Sequence, residues 1–351
     1  RPGTRVATFT VAGAVRRGLN SAGFNVERVP GHGRKRQRLE GVYTPHSAVT
    51  RPASRPQRIG IVGAGIAGAS LAHVLTARGA VVSVFETAPG PARGTSGNPL
   101  ALVMPRLDAG DTPQARLLIE AYLAARATYP GLPGVEPVAV THRARDAREA
   151  TRFDRLVSDP PLDDGELARA GPDTLVHKQA LILRPSMLLP ALLAGTQVSW
   201  GVEADIDFEA RTINGEAFDA IVLATGWHMQ AAFAPLRLEG RAGQVEWVTG
   251  APAHAPAALA RGHYALAYEA ERLWGATFTP HAGNIPPAPS AAERAANMSA
   301  LEALQPDWLG EVDYGAILSR AGVRATTPDR LPLVGPLPDF ARVADDFAGL
   351  R

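Results

Sequence analysis

Three glycines and one carboxylate, set at fixed offsets, are the residues in this sequence best able to do chemistry. In Ile59-Gly-Ile-Val-Gly63-Ala-Gly65-Ile-Ala-Gly68 an apolar run enters a G-x-G-x-x-G turn. Gly63 allows the tight turn, Gly65 lets the backbone approach a pyrophosphate, and Gly68 lets the following helix pack close on the strand. Ile66 and Ala67 open that helix, so their backbone N–H groups face the phosphates. An Ala-rich stretch continues to Leu75, Gly79 stops it, and Val81-Val-Ser-Val-Phe-Glu86 reads as a second strand. Glu86 then ends that strand where it can accept a hydrogen bond from a ribose hydroxyl. A carboxylate there disfavours a 2′-phosphate, and with it NADP. The unit from Arg58 to Glu86 is therefore expected to hold the ADP half of a dinucleotide.

The elements that must position this unit follow from apolar patterning. Thr95-Ser96-Gly97-Asn98 comes soon after the second strand, and its small polar residues can approach a cofactor or simply form a turn. Ala115 to Tyr129 and Ser186 to Leu193 are expected to be helical, with Pro130 to Pro137 as punctuation. Thr196 to Val202, Arg211 to Ile213 and Ala220 to Leu223 read as strands, the last running into Ala224-Thr225-Gly226. Gln244 to Thr249, His263 to Glu269 and Arg272 to Phe278 read as successive antiparallel strands, and Pro289 to Leu304 as a helix. Upstream, Val6 to Asn25 is expected to be helical, with Phe9, Val15 and Leu19 on one side and Gly23 as its stop, giving way to a strand from Phe24 to Val29. A charged strand is expected after the Gly31 turn. Thr44 to Gln57, rich in Pro, Ser, Thr, Ala and Arg, reads as a linker.

Composition bounds the function. The chain has 351 residues, 46% apolar, with no cysteine. That excludes disulfides, thiolate metal sites and a cysteine nucleophile, and fits a cytoplasmic protein. The nine histidines are scattered at spacings that build no metal site, so no metal is expected. Nineteen residues without formal charge separate Arg58 from Arg78. That approaches the length of a membrane span, but four glycines and the β-rich run after it favour a buried strand and helix, so no membrane association is expected. The net charge of +2 conceals an asymmetry, because residues 1 to 58 hold twelve Arg or Lys against Glu27 and Glu40, a balance of +10 that leaves −8 for the remainder. A basic segment joined to a mildly acidic body suggests a polyanionic partner. An Arg-rich transit peptide is the alternative, opposed by the start at Arg1 and by the turn-and-strand patterning of Gly18 to Tyr43.

Taken together, Gly63-Ala-Gly-Ile-Ala-Gly-Ala-Ser70, Gly94-Thr-Ser-Gly-Asn98, Gly240-Arg-Ala-Gly-Gln244 and Gly322-Val-Arg-Ala-Thr-Thr-Pro-Asp-Arg-Leu-Pro-Leu-Val-Gly335 resemble the D-amino-acid-oxidase-like FAD superfamily. Thr8-Phe-Thr-Val-Ala-Gly-Ala-Val-Arg-Arg-Gly-Leu19, Ala22-Gly-Phe24 and Gly31-His-Gly-Arg-Lys-Arg36 resemble the end of the methyltransferase half that precedes the oxidase in bifunctional bacterial enzymes of the tRNA wobble uridine. The resemblance covers nearly the whole chain and is weakest between about Arg143 and Lys178. It implies an α/β fold: a Rossmann-like FAD-binding domain with an inserted antiparallel-sheet substrate domain, preceded by the last segments of an α/β methyltransferase. The expected division is 1–44 methyltransferase tail, 45–57 linker and 58–351 oxidoreductase, with FAD-binding parts near 58–232 and 320–351 and a substrate part near 235–319. The resemblance also implies that a second glycine turn would lie past Arg351, and that S-adenosylmethionine is used only by a longer parent.

What the resemblance implies for the site is specific. FAD is held by Gly63, Gly65, Ile66, Ala67, Gly68, Glu86, Ser96, Gly97, Asn98, Ala224, Thr225 and Gly226. Arg324 resembles the arginine that grips a substrate carboxylate; a salt bridge to Asp329 is the structural alternative. Arg241 and Gln244 are expected to line the substrate side of the flavin or to end a strand. Arg34, Lys35, Arg36 and Arg38 are candidates for tRNA phosphate contact or for a solvated basic strand. The implied reaction is oxidative removal of the carboxymethyl group from a 5-carboxymethylaminomethyl wobble uridine. A glycine, sarcosine or D-amino-acid-type oxidase and a tRNA-binding fragment with an incomplete FAD site are the competing readings.

Overall fold

The structure is a computed structural model. It describes residues 3–8, 11, 13–31, 37–44, 58–107, 112–163, 165–228, 236–250, 257–283, 285–306, 308, 310 and 313–340. The chain divides into two compact units, Arg1–Gln57 and Arg58–Arg351.

In the first unit, Gln37–Tyr43 is the central strand of three, flanked antiparallel by Arg5–Thr8 and Phe24–Pro30, with the helix Gly13–Ser21 between the outer two in sequence. Leu39 is its buried anchor, and Phe24 meets Tyr43 edge-on with centroids 5.3 Å apart. Only part of the helix expected over Val6 to Asn25 forms. Its first residues are a strand because Thr8 to Arg5 pair with Leu39 to Val42, a long-range partner that overrides a helical spacing.

The second unit is built on two sheets. A parallel sheet has the order Gln197–Trp200, Val81–Glu86, Arg58–Val62, Ala220–Leu223. Its central strands are near-continuous apolar runs, as strands covered on both faces must be. The helices Ile66–Ala77 and Pro185–Leu192 cover one face through Ala69, Ala72, Leu188, Leu189 and Leu192. Val62, Phe85, Ile213 and Phe218 form the core between the other face and a small three-stranded sheet.

The larger sheet has ten strands, in the order Thr279–His281, Glu239–Thr249, Glu271–Gly275, His263–Tyr268, Ala258–Arg261, Val135–Arg143, Thr174–Leu183, Ala101–Val103, with Leu318–Thr326 beside Glu239–Thr249 and Leu167–Gly171 beside Thr174–Leu183. The helix Ala291–Leu304 packs on this sheet through Leu301 and Leu304, against Val248, Ala265, Ala267 and Trp274. The fold is thus a Rossmann-like α/β unit joined to a mostly antiparallel sheet. No helix among the described residues is long and apolar enough to cross a membrane.

Candidate active site

The glycine turn is held in a geometry that leaves no room for side chains. Gly63 sits at φ +105° and donates its N–H to the Phe85 carbonyl at 2.8 Å. A Cβ on Gly63 would lie 2.5 Å from the Ala224 carbonyl oxygen, and one on Gly68 would lie 1.9 Å from that of Gly63. The turn therefore packs directly on the end of the strand Ala220–Leu223, where Ala224 N–H continues the pairing to the Val62 carbonyl at 2.8 Å. Thr225 accepts from His228 N–H, and Gly226 turns the chain away at φ +58°.

The helix Ile66–Ala77 begins at this turn with no side-chain cap from its N-cap residue, Gly65, and no acid in its first turn, which suits an anion there. Ser96 comes in from the following loop, and its hydroxyl accepts from Ile66 N–H at 3.0 Å. The hydroxyl proton of Ser96 stays available to donate to a phosphate. Gly97 is required beside it, since a Cβ there would stand 1.9 Å from the Ala92 carbonyl oxygen. The Glu86 carboxylate is locked at the strand end: Oε2 accepts from Ala64 N–H at 2.8 Å, and Oε1 from Ala88 N–H at 2.9 Å and from the Thr87 hydroxyl. Oε2 keeps a second acceptor position for a ribose hydroxyl. Glycine cradles, a helix N-terminus, a donor hydroxyl and an aimed carboxylate together fit the ADP half of FAD.

The loop 94–98 links this cradle to the large sheet. The Thr95 hydroxyl donates to the Val323 carbonyl at 2.7 Å, and Arg320 donates to the carbonyls of Arg93 and Gly94. Arg324 lies one residue past Val323, directly across from Arg241 in the antiparallel pair. Its Nη1 is buried and has no hydrogen-bond partner among the described residues. Gly243 makes room for it, because a Cβ there would come within 2.3 Å of that nitrogen. Phe278 lies under both guanidiniums, 5.7 Å from Arg241 and 5.9 Å from Arg324. Tyr264 completes the cluster: burial pushes its phenol up, opposed by the nearby Arg324 charge and by a hydrogen bond with the Asn98 side chain. A half-buried guanidinium whose Nη1 has no partner among the described residues, beside a glycine, a phenol and the loop 94–98, can bind a carboxylate with two parallel hydrogen bonds.

Not every expected residue joins this cluster. Asp329 accepts from the Thr327 hydroxyl at 2.7 Å and from Leu331 N–H at 3.0 Å, a local turn that takes the place of a bridge to Arg324. Arg241 is ion-paired with Glu239 on the Arg324 face. Gln244 requires correction: three positions along the same strand, it faces the other way. It is 2% exposed, accepts from Ser290 N–H at 2.8 Å, and donates to Glu246 at 2.6 Å and to the Ser290 carbonyl at 3.1 Å. It lines a pocket of about 220 Å³ with Ser290 and Glu293 at the start of the helix Ala291–Leu304. Arg34, Lys35 and Arg36 lie outside the described residues, and Arg38 is ion-paired with Glu40 at 2.6 Å. Among the described residues no group of three His, Asp or Glu could hold a metal ion. Tyr264 and Phe278 were not singled out by the sequence.

Comparison with known proteins agrees with this geometry. Residues 58–347 match the family described as FAD dependent oxidoreductase, and residues 1–44 match an S-adenosyl-L-methionine-dependent methyltransferase family. The chain is 36% identical over 360 residues to the tRNA 5-methylaminomethyl-2-thiouridine biosynthesis bifunctional protein MnmC of Caulobacter sp. (strain K31), covering 97% of this chain and 58% of that one. It is 37% identical over 357 residues to the protein of the same name from Maricaulis maris (strain MCS10), covering 99% and 58%. The chain thus spans somewhat over half the length of these curated relatives. Among solved structures it resembles glycine oxidase from Geobacillus kaustophilus, with a TM-score of 0.61 at 21% identity over 81% of this chain and 87% of that one. Iminodiacetate oxidase from Chelativorans sp. BNC1 follows, at a TM-score of 0.59 and 20% identity over 80% and 87%. On the match over residues 58–347, the chain belongs to the FAD dependent oxidoreductase family.

Proposed function

We propose that this chain is the oxidoreductase part of a tRNA wobble-uridine-modifying enzyme, and that it oxidatively removes the carboxymethyl group from 5-carboxymethylaminomethyl-(2-thio)uridine to leave the aminomethyl base. The observation that carries this reading is the half-buried Arg324, whose buried Nη1 has no hydrogen-bond partner among the described residues, on the face lined by Phe278, Tyr264 and the loop 94–98. The shared length and identity with the MnmC proteins support tRNA as the substrate. FAD, when bound, supplies a two-electron acceptor.

In this reading Arg324 holds the carboxylate and so orients the methylene between carboxylate and amine for loss of its hydride. The C–N bond becomes an imine as the amine nitrogen loses its proton. Water then adds to the imine carbon, and the C–N bond breaks to give the aminomethyl base and glyoxylate. Ser96, Glu86 and the helix N-terminus hold the cofactor's phosphates and ribose. The parts near 58–232 and 320–351 are assigned to the cofactor and the part near 235–319 to the substrate. Methyl transfer from S-adenosylmethionine is assigned to a longer parent, and the basic residues of the first unit, including Arg34, Lys35, Arg36 and Arg38, to tRNA phosphates.

The test is anaerobic mixing of the flavin-loaded chain with tRNA carrying the carboxymethylaminomethyl group, followed by the flavin bands. Bleaching by the modified tRNA and not by glycine is expected. Bleaching by glycine and not by the tRNA would replace this reading with a small-molecule amino-acid oxidase. Purified protein that takes up no flavin would leave only a tRNA-binding role.

A further inference from the structure

We infer that Phe278 is a stacking platform for the pyrimidine ring of the substrate, which makes it the residue that separates a nucleoside substrate from a free amino acid. The inference rests on the reading of Arg324 as the carboxylate anchor. Phe278 follows the strand Glu271–Gly275 and is 51% exposed, although both Arg241 and Arg324 lie against its ring. A large aromatic left half open beside a half-buried cation forgoes apolar burial that folding alone would favour. With both guanidiniums over the ring, half of the residue is still open. At 5.7 and 5.9 Å from the centroid they sit near the outer limit of about 6 Å for a cation–π contact.

The spacing fits one class of ligand. In the carboxymethylaminomethyl group four bonds separate the carboxylate carbon from the pyrimidine ring, a span of about 5 Å at ordinary bond lengths near 1.5 Å. A carboxylate on Arg324 therefore brings the attached ring to Phe278, 5.9 Å from the guanidinium carbon. A free glycine or sarcosine has nothing to place there. Base–aromatic stacking accepts any pyrimidine face, so Phe278 selects for the presence of a base, and tRNA identity must be read elsewhere. Arg241 is neutralised by its pair with Glu239, so the positive charge at this ring is that of Arg324.

Two measurements on the flavin-loaded chain test this. In the first, Phe278→Ala raises the KM for the modified tRNA on the order of 10- to 100-fold and changes kcat by less than about threefold, while Phe278→Tyr restores the KM. Equal KM values for wild type and Phe278→Ala, on a wild type that oxidises the tRNA, would overturn the inference and leave the proposed function standing. In the second, which needs no turnover, Phe278→Trp is titrated with 5-carboxymethylaminomethyluridine and with sarcosine. Saturable quenching of the introduced indole by the nucleoside, beyond any change in wild type, supports stacking. Quenching absent, or equal with sarcosine, overturns it, whichever substrate the wild type uses.

Discussion

The paired strands Glu239–Thr249 and Leu318–Thr326 present two faces that differ in how their polar atoms are partnered. On the face toward the helix Ala291–Leu304, Glu246 is fully buried, accepts from Gln244, from Asn297 at 3.3 Å and from the Ser319 hydroxyl, and is ion-paired with Arg294, whose Nε is 3.4 Å away. Asn297 also donates to the Gln244 carbonyl at 2.9 Å, while its Oδ1 and the Trp274 Nε1 have no hydrogen-bond partner among the described residues. On the opposite face the register places glycines, Gly243 and Gly322, beside the half-buried Arg324, whose Nη1 has no hydrogen-bond partner among the described residues. Buried polar groups are ordinarily hydrogen-bonded, so we read the first face, dense with its own hydrogen bonds, as scaffold and the second as the face proposed to take an anion. Residues one position apart on a single strand thus serve opposite ends.

The largest break in that contrast should come at Arg324. Arg324→Ala removes two charge-assisted hydrogen bonds to a carboxylate, so kcat/KM should fall roughly a thousandfold in steady-state assays while the flavin absorbance is retained. Gly243→Ala should come next. Its methyl would meet Arg324 Nη1 and, at 2.6 Å, the Thr277 carbonyl oxygen. The KM for substrate should rise roughly tenfold or more as the guanidinium is displaced. On the scaffold face the expected loss is stability: Glu246→Ala removes the acceptor shared by Gln244, Asn297 and Ser319 and the ion-pair partner of Arg294, and should lower the unfolding free energy by about 3 kcal/mol in a denaturant titration, with KM within about twofold. A KM effect there as large as at Arg324 would erase the distinction between the faces.

The smallest effect lies farther across the same sheet, at His142 and His177. Their ring nitrogens are 3.2 Å apart, and burial pushes them down to about 4 and about 3. A histidine kept neutral in the folded state but protonated in the unfolded chain stabilises above its unfolded value near 6.5 and loses that contribution as pH falls. For the 2% exposed His177 the loss between pH 7 and pH 5 should be about 2 kcal/mol. His177→Gln should flatten that part of the curve of melting temperature against pH without altering KM.

The glycine unit was legible because its constraint is written in residue type: only glycine tolerates a carbonyl at 1.9 to 2.5 Å from its Cβ position. Arg324 was legible through its motif. Gln244 was not, because strand alternation is visible in a sequence but which face turns inward depends on what packs there, here Ser290 and the helix it caps. Tyr264 and Phe278 gave no signal, since their meaning lies in proximity to a strand some 50 residues away in the chain. The strands Val135–Arg143 and Thr174–Leu183 were missed for a related reason: they pair with each other across the helix Ala147–Ser158, and Pro137 in the first resembles punctuation.

The claim that Arg324 awaits a carboxylate is tested most directly by titrating the flavin-loaded chain with acetate, which cannot be oxidised there, and following the flavin spectrum. A saturable shift in wild type that disappears in Arg324→Ala, with the flavin retained in both, is the predicted result. The same shift at the same acetate concentration in Arg324→Ala would contradict it.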